Sequence, residues 1–213
     1  MKYHFIIILI FATAIQALSQ KNGLEFSFNN AYFNARNTPF EIACGENELC
    51  DIKTRVIPEV EFKFNADYTL LFKENHTFLF GAGLNIWAYE EQNDIPAQSP
   101  PPSREEDFGQ NASSLFQLNI GYRIYLLSVS EFKLFFQGKI IGGLGNVFDH
   151  EFRHLGLQPG LGLERPINEN HALFFTINYT KYYSAKAEGV VLPNPESAGF
   201  ILGVSKNLSL IHI

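Results

Sequence analysis

From Phe116 to Leu126, apolar side chains take every second position: Phe116, Leu118, Ile120, Tyr122, Ile124 and Leu126. Gln117, Asn119, Gly121, Arg123 and Tyr125 fill the places between. A period of two puts the two sets on opposite faces of an extended strand, which a helix cannot do. After a turn at Ser128-Val129-Ser130 the pattern resumes. Leu134, Phe136, Gly138 and Ile140 share one face, and Lys133, Phe135, Gln137 and Lys139 share the other. This hairpin has one apolar and one polar face, so a fold built on it must give each face its own environment.

The rest of the chain repeats the motif. A first strand over 24–35 sets Leu24, Phe26, Phe28 and Tyr32 against Glu25, Ser27, Asn29 and Ala31. A second, over 54–72, sets Pro58, Val60, Phe62 and Phe64 against Glu59, Glu61, Lys63 and Asn65. A third covers 77–89, and the opening hairpin supplies the fourth and fifth. Sixth and seventh strands follow at 155–164 and 173–180, and an eighth starts near Ser197. The connections alternate in length. Those at 37–52, 90–112, 143–153 and around Pro193-Asn194-Pro195 are long; those at 73–76, 128–130 and 166–170 are short. In an up-and-down barrel alternate connections emerge at the same end. The pattern therefore predicts an all-β, eight-stranded antiparallel transmembrane barrel with long external loops and tight periplasmic turns. Strands of about 9–11 residues are enough to cross a bilayer, and closure leaves no unpaired edge in lipid.

The N-terminus supports export. Lys2 precedes an apolar run from Phe5 to Ala14, and Ala17-Leu18-Ser19 is a small-residue cleavage site before Gln20. Residues 1–19 are thus read as a signal peptide and 20–213 as one barrel domain. Phe occurs 21 times and Tyr 9 times, against one Trp; aromatic enrichment favours sheet. The net charge of −6, with no basic cluster, argues against a nucleic-acid partner. Cys44 and Cys50 are the two cysteines, and an exported chain permits a disulfide between them. Two thiols alone do not make a zinc site. A soluble, secreted barrel of the lipocalin kind is the architectural rival. Against it stand a polar face dominated by Gly, Asn, Gln, Ser and Thr, the absence of a Gly-x-Trp after the signal, and no helical segment near the C-terminus.

Three sets of residues bear on chemistry. His150-Glu151-Phe152-Arg153-His154 matches H-E-x-x-H, which needs a helix to bring both imidazoles to one metal. In a strand, residues four apart are about 13 Å apart, so no metal and no cofactor is expected. The second set is the charges predicted to point inward: Glu25, Glu59, Glu61, Lys63, Arg123, Lys133, Lys139 and Glu164. Buried charge is costly unless paired, and a barrel this narrow is filled by side chains. A Lys/Arg–Glu network is expected inside, with a gated ion path as the alternative. Third, Tyr32, Tyr89, Tyr125 and Tyr183 near strand ends are expected to form interfacial girdles. The Asn-x-Ser/Thr triplets at Asn75, Asn111, Asn178 and Asn207 carry no function here.

The signal ending Leu18-Ser19-Gln20, the phrases Gly83-Leu-Asn-Ile86 and Asn119-Ile-Gly-Tyr122, and the last strand Gly199-Phe-Ile-Leu-Gly-Val-Ser205 resemble small, porin-like outer-membrane β-barrel proteins of Bacteroidota-type bacteria. The likeness runs over the whole exported chain. Such barrels usually end on an aromatic residue read by the insertion machinery, whereas this chain ends Leu210-Ile211-His212-Ile213. The resemblance implies a monomeric outer-membrane protein. Its partners would be outer-membrane lipid, lipopolysaccharide and the insertion machinery. Its role would be non-enzymatic: structural, adhesive or ligand-contacting through the external loops. A weaker likeness is to lipid A deacylase barrels, which carry His-x-Ser near the end of the seventh strand and a Glu after a Pro-Asn turn. Here Tyr182-Tyr183-Ser184 precedes Pro193-Asn194-Pro195-Glu196. Ser184 and Glu196 match, but Tyr182 stands where the general base would be. A serine nucleophile needs a base, and tyrosine, with a pKa of about 10, is a poor one.

Overall fold

The computed structural model describes residues 22–34, 40–42, 53–94, 110–147, 150–185, 190–191 and 195–208. It contains ten strands: β1 Asn22–Phe33, β2 Phe40–Ile42, β3 Lys53–Lys73, β4 His76–Asp94, β5 Gln110–Val129, β6 Phe132–Val147, β7 His150–Pro166, β8 His171–Ala185, β9 Val190–Val191 and β10 Glu196–Leu208. All pair in antiparallel fashion. Eight of them form the wall, in the order β1-β10-β8-β7-β6-β5-β4-β3, and β3 pairs back onto β1 to close it. At the closing seam Phe28 faces Phe64, and on β1's other side it faces Leu202 of β10. The predicted eight-stranded up-and-down barrel is what forms. The two short strands extend the wall at the loop end, where β2 pairs with both β3 and β9.

The tight connections fall where the alternation breaks. Glu74-Asn75 joins β3 to β4 and Ser130-Glu131 joins β5 to β6. Residues 167–170 bend between β7 and β8. Val129 faces Phe132 across the middle turn, and Ser130 has φ 55°, the left-handed conformation that tight hairpin turns require. Together with residues 22 and 208, these turns define one end of the barrel.

The other end differs from expectation. β6 and β7 stay paired out to Val147 and His150, so most of the connection expected over 143–153 is strand. Likewise β4 runs to Asp94 and β5 starts at Gln110, narrowing the link expected over 90–112. Wall strands therefore reach 20 and 21 residues in β5 and β3, about twice what a crossing needs. Cross-strand pairing extends them through polar segments that show no alternation of their own. The signal segment, residues 1–19, and Cys44 and Cys50 lie outside the described residues.

Polarity is inverted relative to a water-soluble barrel. On the β5 face that holds Phe116, Leu118 and Ile120, side chains are 48, 56 and 60% exposed on the outer wall; Gln117, Asn119 and Arg123 are buried inside. The same phase holds in β6, with Phe136 and Ile140 outside and Phe135, Gln137 and Lys139 inside. Outward apolar side chains continue around every wall strand, including Phe26, Phe64, Leu84, Leu161, Ile177 and Leu202. Inward glycines make room for the large residues among the inner side chains. A Cβ on Gly162 would collide with the ring of Phe135, one on Gly203 with Phe174, and one on Gly143 with His154.

Candidate functional site

The side chains inside the barrel form three tiers, and each is built by strands from opposite walls. At the turn end, Arg123 of β5 reaches across the lumen to Glu25 of β1. Its two terminal nitrogens donate to the two carboxylate oxygens at 2.7 and 2.9 Å. This two-point pairing is the strong form of an arginine–carboxylate contact. Nη2 also donates to Gln137 at 3.1 Å. The guanidinium lies 4.3 Å from the Phe135 ring centre and 5.2 Å from that of Phe174, so cation–π contacts add to the ion pair. Beside it the Tyr125 hydroxyl donates to Glu164 at 2.6 Å, and Lys133 lies 3.7 Å from the same carboxylate. Below this tier the lumen widens into a bowl of about 480 Å³ lined by Glu25, Tyr125, Lys133 and Glu164 among others.

The middle tier is held by Lys139 of β6 and Asp67 of β3, 2.5 Å apart across the lumen. Around them Gln117 donates to Asn65, Asn178 to Asn29 at 3.1 Å, and Gln158 to Thr180 at 3.0 Å.

The loop-end tier centres on Glu61 of β3. One carboxylate oxygen accepts from Asn85 at 2.7 Å, from the Trp87 indole at 3.1 Å and from the Tyr182 hydroxyl. The other accepts from Ser197 at 2.9 Å and faces Lys63 at 3.0 Å. Phe33, Trp87, His154 and Tyr182 pack their rings around this hub, with centroids 5.0–6.3 Å apart. Four donors and one cation meet a single buried acid.

Most of the charges expected inside are there. Glu25, Glu61, Lys63, Arg123, Lys139 and Glu164 are buried, and Lys133 is half-buried at the turn-end mouth. Glu59 is not: it is exposed. The β3–β4 register shifts between Pro58 and Val60, a bulge that takes Glu59 out of phase with Glu61. Asp67 was missed, although it continues the inward phase of Glu61, Lys63 and Asn65. Two of the four tyrosines expected in the girdles point inward as well. Tyr89 is buried, and Tyr125 belongs to the turn-end network. Tyr32 and Tyr183 do face outward. At the turn end a girdle forms instead from Phe72, Phe78 and Tyr122 on the outer wall, with His76 bonded to the Tyr122 hydroxyl at 2.5 Å.

The residues matched to a deacylase do not converge. Tyr182 faces the lumen and is bonded to Glu61. Glu196 lies on the outer side of the wall, paired with Lys181 at 2.9 Å. Ser184 stands opposite His154 in the β7–β8 register, but its side chain lies outside the described residues. The H-E-x-x-H segment opens β7 as extended chain rather than helix. Among the described residues no group of three or more His, Cys, Asp or Glu is placed to hold a metal.

A closed antiparallel barrel with an apolar outer wall and a polar, charge-paired lumen is the architecture of outer-membrane β-barrel proteins. The chain is similar to several solved structures. The Neisserial surface protein NspA is 12% identical, with a TM-score of 0.44 over 88% of this chain and 97% of its own. OprG of Pseudomonas aeruginosa is 10% identical, with a TM-score of 0.46 over 89% and 97%. The outer-membrane protein AlkL is 13% identical, with a TM-score of 0.45 over 92% and 93%. No protein-family model matches the chain, and no curated protein matches it in sequence.

Proposed function

We propose that the protein is an integral barrel of a bacterial outer membrane, exported by residues 1–19, with a closed lumen and a non-enzymatic role exercised at its loop end. The role is structural, adhesive or ligand-contacting. Lipid and lipopolysaccharide surround the wall, and the insertion machinery is its assembly partner. The observation that carries this reading is the inverted polarity: large apolar side chains cover the outside, while acids and bases pair inside. The lumen-crossing pairs Arg123–Glu25 and Lys139–Asp67 support a plug rather than a pore.

Fractionation with a heat-modifiability gel tests the placement. The folded protein should partition with outer membranes and migrate differently before and after boiling. Recovery in the soluble fraction, with no shift on boiling, would sink the proposal. Planar-bilayer recording tests the plug, since stable large conductance from the folded barrel would contradict it. The deacylase alternative predicts that cells expressing the protein lose an acyl chain from lipid A and regain it with Ser184→Ala. The separation of Tyr182 and Glu196 on opposite sides of the wall counts against that outcome.

A further inference from the structure

The outer wall carries a trough of about 810 Å³ where β1, β8 and β10 come together. Phe26 and Phe64 form one flank, Phe132 and Leu173 the other, and Leu202 lies between them. Ser27 and Gly203, small residues pointing inward, underlie it. The trough is apolar along its length, and two cationic side chains stand at or near its turn end. Arg165 of β7 lines it directly. Further toward the turns Lys206 of β10 faces His171 of β8, and both are exposed.

We propose that this trough binds one anionic phospholipid from the leaflet on the turn side. An acyl chain lies along the aromatic walls, and the headgroup phosphate sits against Arg165 and Lys206. This rests on the outer-membrane reading, which places the turns at the periplasmic face. Arg165 is paired with Glu131 at 2.8 Å, but both side chains are more than half exposed. Such a pair contributes little and can yield to a phosphate, which guanidinium binds through two points. Among the described residues Lys206 has no ion-pair partner. Charge complementarity selects this occupant over a second copy of the chain. A two-fold interface through the trough would bring the Lys206 side chains of both copies to the same depth and oppose like charges.

The test is native mass spectrometry of the folded barrel released from detergent with phosphatidylglycerol or phosphatidylcholine of identical acyl chains. One phosphatidylglycerol should be retained per barrel, with a preference of about tenfold or more, as two cations near an anionic headgroup would contribute. Arg165→Gln with Lys206→Gln should abolish the preference. Leu202→Trp, which fills the trough, should lower retention of both lipids. Equal retention of the two lipids by the unaltered protein overturns the proposal, as does unchanged phosphatidylglycerol retention in the double variant. A dimer that excludes lipid overturns it in favour of a second copy. A heat-modifiability gel run on the same samples separates the two levels. A barrel that shifts on boiling but shows no lipid preference refutes only the site, whereas one that shows no shift refutes the membrane reading and the site with it.

Discussion

Glu61 is fully buried in β3, and its carboxylate meets Asn85, Trp87, Tyr182, Ser197 and Lys63 together. Such crowding makes the cost of a substitution depend on which side of the network is cut. Removing one donor leaves the acid with the others. Removing the acid strands a buried ammonium and several buried polar groups at once. Tyr182→Phe should therefore destabilise the barrel by about 1 kcal/mol. Glu61→Ala should cost about 3–5 kcal/mol, as breaking a buried ion pair does. Urea-dependent folding into lipid vesicles measures both. Equal costs for the two variants would contradict the hub. The same logic applies at the turn end, where Arg123→Met leaves Glu25 and Gln137 without their shared donor. That variant should also lose about 3–5 kcal/mol, and Glu25→Leu added to it should restore part of the loss, because an apolar pair leaves no charge unmatched.

At the level of strands, stability depends on how inward side chains of neighbouring strands share a narrow lumen. Gly203 of β10 stands against the ring of Phe174 in β8, to which it is paired in register. Gly203→Val should force that ring to move, and overpacking of this kind costs about 1–3 kcal/mol. Combining it with Phe174→Leu should recover part of the loss, and the same vesicle folding assay reads the coupling. Pairings of this kind explain what alternation could and could not reveal. The faces of β5 and β6 were legible because period two needs only local order. The phase of Glu59 was not, because period two assumes an unbroken strand, whereas β3 carries an extra residue beside Pro58, a residue type that sheets confine to edges, first positions and bulges. Asp67 was legible in principle, since it follows Asn65 at the same spacing. Tyr125 alternates with the lumen-facing set, and its position near a strand end was the wrong reason to place it in a girdle. The ends of β6 and β7 were hidden for a related reason, because residues 143–147 and 150–153 become strand through pairing with each other and with β5 and β8. At the candidate site, the charges were visible individually, but their partners across the lumen, such as Arg123 with Glu25, depend on barrel closure.

For the whole molecule, the decisive property is which face of the wall meets hydrocarbon. Ile120 is 60% exposed and sits near the middle of β5, opposite Phe80 and Ile140 on its two neighbours. Val129 is 62% exposed but ends the same strand at the turn. Exposure alone does not distinguish these positions, so in water arginine at either would be tolerated alike. In a bilayer they differ by depth, because a charge at the midplane must be pulled toward the interface or solvated by a local defect. Ile120→Arg should therefore cost about 2–4 kcal/mol and Val129→Arg about 0–1 kcal/mol in folding from urea into lipid vesicles. A difference of that size requires a hydrocarbon slab around the centre of the wall and a polar boundary at the turns. Equal and small costs would mean that water, not lipid, surrounds the barrel, and the lumen network would then have to be explained as the interior of a soluble protein.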